Sequence, residues 1–381
     1  MHAALDPRAG DDRLLDLFLR LVETPSPGGG ERAVADLIGD ELRAAGLEVC
    51  EDDTAAATGA GSGNLIVRLE GEGRGTPVLI AAHMDTVAVD GPVRALVSAG
   101  VVRSAGDTIL GADDKAACAA LVDLLLALAG EPPACGLEAV FTTAEERGLR
   151  GAKALDVAAL RARAGFVFDC VGPLGEVQVR APGRRDVTAT FRGVAAHAGI
   201  APEKGRNAVA AAAHAVAAMP LGRIDDLTSA NIGIIDGGTA INVVPDRCRI
   251  AGEARSHDGE RLAAQVTAML DAIQLGAALA GVDVETEVSD DFAAFALDDE
   301  ALPVRIAVTA LREVGVEPRL EASGGGSDVN VLNERGLASV NLSVGMEDVH
   351  SPHESMPVAG LHAGRELMAA LLSVAARTPP E

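Results

Sequence analysis

The sequence has no tryptophan and no tyrosine, so no indole or phenol group can donate a hydrogen bond at a functional site. Cysteine is also scarce, and the five cysteines include no CxxC pair: they are Cys50, Cys118, Cys135, Cys170 and Cys248. The sequence therefore predicts neither a disulfide framework nor a thiolate zinc site. This cysteine usage is typical of a protein of the reducing cytoplasm.

Basic residues are outnumbered, with 32 Lys and Arg against 56 Asp and Glu and a formal net charge of -24. Such an acidic surface repels the phosphates of nucleic acids and of anionic membranes, so we expect neither as a partner. Residues 1–20 lack a basic start followed by an apolar core, and no uncharged apolar run has membrane-spanning length. We therefore expect a cytoplasmic protein without an export signal.

A length of 381 residues favours two domains. The first half alternates segments of helical spacing with short apolar runs, of which the runs are NLIVRLEG, PVLIAAHMD, LEAVFTTAEE and GFVFDC. This alternation predicts an α/β fold, a mixed sheet with helices on both faces. Ligands of such sheets bind at the carboxyl ends of the strands, where these runs carry their polar residues.

Between residues 181 and 291 the pattern changes to the order βαββαβ, which is the ferredoxin-like unit. The alternation of the first half resumes after residue 291. We interpret residues 1–180 and 292–381 as one discontinuous catalytic domain and residues 181–291 as an inserted domain. The insert is a lid, an oligomerisation module or both.

His83 and Asp85 end an apolar run as HMD. Imidazole and carboxylate groups are ligands of borderline metals, and a ligating histidine commonly donates its other ring N–H to a carboxylate. This motif alone is weak, because a histidine at a strand end has many structural roles.

Two pairs of adjacent carboxylates follow. Asp113 and Asp114 precede a helical run; a helix cap explains one carboxylate there but not two, and a carboxylate can also bridge two cations. Glu145 and Glu146 end a strand that has the pattern of a buried one, where like charges need a cation or a proton. Such neighbours suit two tasks, one as a ligand and one as a general base.

Asp169 ends the run GFVFDC, and VHSPHES offers His350 and His353, either of which could ligate by spacing alone. Five strand ends or adjacent loops thus present hard or borderline metal ligands with almost no cationic residue among them. Each signal has a structural explanation, but together they predict a metal site.

The ordered motifs HMDT, LGADDKAA, TAEERG, VFDC, AAHAG, SGGGSD and VHSPHES resemble those of the co-catalytic zinc metallopeptidases. That family includes peptidase T, the glutamate carboxypeptidases, aminoacylase and the acetylornithine and succinyl-diaminopimelate deacylases. GADDKAA and AHAGIAPEKGRNAV are most similar to the peptidase T-like branch. The resemblance covers nearly the whole chain and implies a zinc exopeptidase fold with an inserted βαββαβ lid.

The resemblance also implies a role for each motif residue. It implies two divalent cations that would share the carboxylate of Asp113. His83 and Asp169 would complete one cation site, and Glu146 and His350 would complete the other. It implies that Glu145 is the general base, that Asp85 orients His83, and that the Asp113–Asp114 peptide is cis.

In the lid, the resemblance points to three substrate-binding residues. His197 would approach the reacting carbonyl on closure or from a partner subunit, and Asn242 and Arg255 would hold a substrate carboxylate. By contrast, Arg255 could be merely solvated and Asn242 could merely make a turn. The remaining histidines are interpreted as structural or exposed: His2, His214, His257 and His362.

The resulting hypothesis is a two-metal hydrolase of peptide amide bonds, an aminopeptidase acting on small peptides. One alternative is an N-acyl-amino-acid deacylase or carboxypeptidase of the same family. An alternative of another class is a non-catalytic peptide-binding module, whose signature would be loss of the base or of a ligand. Zinc is implied by resemblance, although manganese and cobalt accept the same ligands. A homodimer through the lid is also expected.

Overall fold

A computed structural model describes residues 12–380, so His2 lies outside the described residues. Ten α-helices occur in this part of the chain: α1 (Arg13–Glu23), α2 (Arg32–Ala44), α3 (Thr54–Thr58), α4 (Ala112–Leu128), α5 (Arg150–Ala154), α6 (Ala208–Ala218), α7 (Gly259–Ala280), α8 (Leu302–Glu313), α9 (Asp328–Glu334) and α10 (Val358–Ala375).

The same residues form nineteen β-strands: β1 (Val49–Glu51), β2 (Leu65–Leu69), β3 (Val78–His83), β4 (Ala95–Ser98), β5 (Val101–Ser104), β6 (Leu137–Thr142), β7 (Ala164–Cys170), β8 (Glu176–Ala181), β9 (Gly183–Arg192), β10 (Ala196–His197), β11 (Gly222–Arg223), β12 (Thr228–Gly237), β13 (Val243–Val244), β14 (Arg247–Ser256), β15 (Asp283–Phe292), β16 (Phe295–Ala296), β17 (Arg319–Ala322), β18 (Ser339–Ser343) and β19 (Ser355–Pro357).

The chain divides into two compact units. Of the described residues, the first unit comprises those up to Val179, Leu297–Ala322 and those from Ser327 onward, and the second comprises Arg180–Ala296 and Ser323–Gly326.

The first unit contains a mixed sheet in the strand order β1-β2-β6-β3-β7-β18-β8. Strands β6, β3, β7 and β18 are parallel, and the strands toward both edges are antiparallel. Every residue of β3, β6 and β18 is buried. Strand β3 is accordingly a nearly continuous apolar run, as expected for a strand covered on both faces, whereas β6 and β18 also bury polar residues such as Glu138 and Asn341.

Helices cover both faces of this sheet, which confirms the predicted α/β class. In β3, Ile80 belongs to the main core cluster and contacts the α4 side, whereas the alternate residues Leu79 and Ala81 are buried on the opposite face. Helix α1 shows how the sequence produces this packing. Its N-terminus is capped by the Asp12 carboxylate, and its apolar residues recur at three- and four-residue spacing.

Parallel strands end at one edge of a sheet, and this geometry positions the candidate site. His83 is the last residue of β3, Asp169 is next to last in β7, and Glu145 follows the end of β6. A separate three-stranded sheet in the order β19-β5-β4 was not predicted, because strands of three or four residues carry too little alternation.

The second unit has the expected order β9-α6-β12-β14-α7-β15. Its main strands form an antiparallel sheet in the spatial order β12-β14-β9-β15, with the short β11 beside β12. Helices α6 and α7 pack closely at Gly276 of α7. A Cβ at this position would lie 2.5 Å from the backbone oxygen of Ala211 in α6, which is too close for any residue with a side chain. The alanine-rich composition of α6 therefore reflects close helix packing.

Helices α7 and α10 are long and apolar enough to cross a membrane, judged by length and composition alone. Each buries one face within its own unit, and each carries charged residues on its other positions. Core packing accounts for their apolar character.

Candidate metal centre

The carboxyl edge of the first unit's sheet brings three groups of possible metal ligands together. In each group, one ligand atom per residue lies within 4.8 Å of the others: His83 with Asp113 and Asp169, Asp113 with Glu146 and His350, and His83 with Glu145 and Glu146. The first two groups share Asp113. They coincide with the two ligand sets that the resemblance implies.

Asp113 presents one carboxylate oxygen to each imidazole. Its Oδ1 lies 3.2 Å from His83 Nε2, and its Oδ2 lies 3.1 Å from His350 Nε2. This arrangement suits a carboxylate that bridges two cations. The Asp113–Asp114 peptide is cis, as the resemblance implied.

The two candidate sites differ in their exposure to solvent. The His83 side chain is 2% exposed and its Nε2 lies 3.8 Å from Asp169 Oδ1. The His350 side chain is 47% exposed and its Nε2 lies 2.7 Å from Glu146 Oε1. His353 joins none of the ligand groups found among the described residues, so the geometry favours His350.

The electrostatics of the site fit divalent cations. Burial raises the pKa of Glu145 well above its usual range, and burial with the neighbouring Asp113 carboxylate raises the pKa of Asp169 to about 7. Hydrogen bonding to Asp113 and Glu146 raises the pKa of His350 to about 10. Lys115 does not neutralise this cluster through an ion pair, because its Nζ donates to the backbone oxygen of Thr24 at 2.7 Å.

Burial opposes protonation of His83, but the hydrogen bond with the Asp113 carboxylate and the nearby Asp169 carboxylate raise its pKa well above the usual range. Protons thus provide the positive charge that these buried carboxylates require. Carboxylates and imidazoles are also the donor groups that divalent cations prefer. A bound cation would therefore displace these protons and neutralise the carboxylates in their place.

Asp85 contacts His83 through its backbone oxygen rather than through its carboxylate. His83 Nδ1 lies 2.9 Å from the backbone oxygen of Asp85 and 3.8 Å from its carboxylate. The carboxylate instead accepts the backbone N–H groups of Glu145 at 2.9 Å and Glu146 at 3.1 Å. An Nδ1–H donated to the carbonyl would leave His83 Nε2 free to bind a cation.

Three buried polar residues of this region were missed by the sequence reasoning. Glu354 accepts the backbone N–H of Asp113, Asn341 accepts that of Asp169, and Asp328 accepts the hydroxyl of Thr142. Glu354 is the glutamate of the VHSPHES motif, and that motif was its only signal in the sequence. Asp328 is the last residue of the SGGGSD motif, whereas Asn341 carries no local pattern that distinguishes it from other polar residues.

The second unit carries His197, Asn242 and Arg255. His197 pairs with Val243 across β10 and β13, and the backbone oxygen of Asn242 accepts the N–H of Ala198 at 3.0 Å, so both residues lie at one small two-stranded sheet. Both residues are exposed. Arg255 lies on β14 and donates two hydrogen bonds to Glu253, at 2.9 and 3.1 Å.

The remaining described histidines have structural or exposed positions. His362 Nε2 lies 2.9 Å from Asp12 Oδ2, His214 is exposed, and His257 is half-buried.

Comparisons with known proteins cover nearly the whole chain. The sequence profile of Peptidase family M20/M25/M40 matches residues 79–374. The uncharacterized protein YqjE of Bacillus subtilis (strain 168) is 40% identical over 96% of this chain and 99% of its own length. Two similar solved structures are aminopeptidase PepT from Bacillus cereus, with 40% identity and a TM-score of 0.85, and a tripeptidase from Staphylococcus aureus, with 36% identity and a TM-score of 0.90. Each alignment covers 96% of this chain and 98% of the other.

We expect the free energy of unfolding of protein stripped of divalent cations to fall as the pH rises from about 4 to about 7. Burial raises the pKa of both Asp85 and Asp169 from 3.8 to about 7, so the folded chain binds more protons than the unfolded chain in this window. Urea unfolding at pH 5 and pH 7 in a chelator measures the effect.

Added Zn2+ serves as the control, because a bound cation stabilises the charged carboxylates and is expected to bind more tightly as the pH rises. Stability that increases with pH in the chelator would contradict this account of the site.

Proposed function

The chain belongs to Peptidase family M20/M25/M40 and is a metallopeptidase, and on this premise we propose that it is an aminopeptidase acting on small peptides. The proposal rests on one observation: two groups of possible metal ligands share Asp113, and the buried Glu145 lies next to Glu146 of the second group. The names of two relatives, an aminopeptidase and a tripeptidase, support the choice of substrate.

We propose that these residues would hold two divalent cations: Asp113 would be shared by both, His83 and Asp169 would complete one site, and Glu146 and His350 would complete the other. A pair of divalent cations supplies Lewis acidity, which lowers the pKa of a water molecule and polarises the scissile carbonyl. Zinc is the proposed metal, supported by a donor set of imidazoles and carboxylates. Elemental analysis of protein purified without added metal tests this choice, and manganese or cobalt at two equivalents would overturn it.

Glu145 is the proposed general base. Its side chain is buried, and its backbone N–H is held by the Asp85 carboxylate at 2.9 Å, which limits its movement. Burial raises its pKa well above the usual range, in the direction that makes a carboxylate a stronger base. Glu145 then takes a proton from the attacking water and delivers it to the leaving amine.

Replacing Glu145 with Gln or Ala is expected to lower kcat by about 10²–10⁴-fold, because proton transfer is lost. The content of bound metal is expected to stay at the wild-type value, since the five proposed ligands remain. Peptide hydrolysis and elemental analysis measure these two quantities.

Glu138→Gln is the matched control, because Glu138 is a buried glutamate at the opposite end of the strand that leads to Glu145. Turnover by Glu145→Ala close to that of this control would show that Glu145 is not the base.

The second unit is proposed to act as a lid that binds the substrate. His197 would assist the developing oxyanion, and Asn242 and Arg255 would hold the substrate carboxylate. The guanidinium of Arg255 binds the Glu253 carboxylate through two hydrogen bonds. This contact supports the proposed role, because a substrate carboxylate could be bound in the same way.

A peptide panel tests the proposed substrate class. We expect free tripeptides to be cleaved at the N-terminal bond, and the same tripeptides with an acetylated amino group to be cleaved at least about tenfold more slowly, a difference of about 1.4 kcal/mol in transition-state binding. Product analysis by mass spectrometry identifies the bond that is cut. Faster cleavage of the acetylated peptides or of N-acyl amino acids would favour a deacylase, and release of the C-terminal residue would favour a carboxypeptidase.

We further propose a cytoplasmic homodimer formed through the second unit. The outer side of β12 has a partner strand only at its Ser229 and Ala230 end among the described residues, and Ile234 on this strand is 51% exposed. Exposed apolar edge strands tend to pair with another chain. All five cysteines are free, which is consistent with a reducing compartment, and cell fractionation tests that location.

Replacing Ile234 with Asp is expected to shift the protein from dimer to monomer in light-scattering measurements. Leu96→Asp is the matched control, because Leu96 is equally exposed in the first unit. A wild-type monomer, or equal effects of both substitutions, would contradict the dimer proposal. If a partner supplies His197, a mixture of the His197→Ala and Glu145→Ala variants regains activity after subunit exchange.

A further inference from the structure

Four of the five proposed metal ligands donate their backbone N–H group in a hydrogen bond to a side-chain oxygen. These four acceptors, which we call the backbone acceptors, are Asp114 for His83 at 3.2 Å, Glu354 for Asp113 at 3.0 Å, Asp85 for Glu146 at 3.1 Å and Asn341 for Asp169 at 2.9 Å. Asp114, Asp85 and Glu354 each lie within four residues of another proposed ligand in the sequence. The loops that carry the ligands are therefore tied to one another by hydrogen bonds that do not involve a cation.

Glu354 makes the most extensive set of these bonds. Its residue is 1% exposed, its Oε1 accepts the N–H of Asp113, and its Oε2 accepts the N–H groups of Leu110 and Gly111, both at 2.8 Å. These hydrogen bonds to a carboxylate are stronger than those between neutral groups. They satisfy three buried backbone donors in the segment that leads into Asp113.

The chain around Glu354 is itself fixed. Strand β19 begins at the next residue, Ser355, and pairs with β5. Glu354 also follows His350 by four residues, so it belongs to the loop that supplies a ligand of the more exposed site. The carboxylate thus ties the loop of His350 to the loop of Asp113.

We propose that Glu354 is a positioning residue that sets the affinity of both cations at once by fixing the backbone of Asp113. The inference rests on the proposed role of Asp113 as the bridge. Because Asp113 faces both imidazoles, a displacement of its backbone changes the geometry of both sites. Asn341 differs, because Asp169 is the only proposed ligand with which it forms hydrogen bonds, and Asp169 belongs to one site.

Glu354→Gln removes one acceptor while keeping the size of the side chain. A glutamine has one carbonyl oxygen and one NH2 group, and the NH2 group cannot accept a hydrogen bond. The orientation that keeps two bonds directs the oxygen at Leu110 and Gly111, and it leaves the Asp113 N–H facing a donor. The substitution therefore acts on the bond to Asp113.

Stepwise affinities for Zn2+ and for Co2+, measured by competition with a chromogenic chelator, test the proposal. We expect Glu354→Gln to weaken both binding steps by about 10–100-fold, the usual cost of losing a residue that supports a metal ligand. Asn341→Leu is expected to weaken one step only. Peptide hydrolysis is not needed for this measurement, so the substrate proposal can fail while this inference holds.

Glu138→Gln is the matched control, because the buried Glu138 carboxylate also accepts two backbone N–H groups, those of Arg161 and Ala162, at 2.7 and 2.9 Å. We expect it to lower thermal stability and to leave both affinities unchanged. The proposal is overturned if Glu354→Gln binds both ions as the wild type does, weakens a single step, or matches Glu138→Gln. Should Glu354→Gln fail to fold, Glu354→Asp provides the same comparison, because its shorter side chain cannot reach all three donors.

Discussion

Repulsion among buried carboxylates at one edge of the sheet is the constraint on which the centre of this protein depends. Asp85, Asp113, Asp114 and Glu145 are all buried there, and isolated buried charges are costly. Each carboxylate must therefore find an imidazole, a backbone donor, a proton or a cation. The contacts of Asp113 with two imidazoles and of Asp85 with two backbone N–H groups are two solutions to the same problem.

These solutions separate the carboxylates into two kinds. Asp113, Glu146 and Asp169 direct oxygens at the histidines and are available to cations. Asp85 and Glu354 direct theirs at backbone N–H groups and hold the loops that carry the ligands. A cation would then bind to loops whose geometry is already restricted, which lowers the conformational entropy lost on binding.

The composition of the chain also has a structural explanation. A core with few aromatic residues must gain its stability from closely packed aliphatic side chains, since dispersion depends on the number of short contacts. The approach of Gly276 to Ala211 in the second unit is one example. The metal chemistry proposed for the first unit requires no phenol or indole donor, so the absence of tyrosine and tryptophan is compatible with it.

The sequence by itself determined the α/β class, the βαββαβ order of the second unit and the strand ends that carry His83 and Asp169, because periodicity and local motifs encode these features. Spacing alone left His350 and His353 open and the resemblance implied His350, whereas only the tertiary structure revealed the hydrogen bonds of Glu354. Glu354 and Asp113 are 241 residues apart, and His350 and Glu146 are 204 apart. A carboxylate that binds a cation and one that binds a backbone N–H have the same local pattern, so the difference arises only when folding brings their partners within hydrogen-bonding distance.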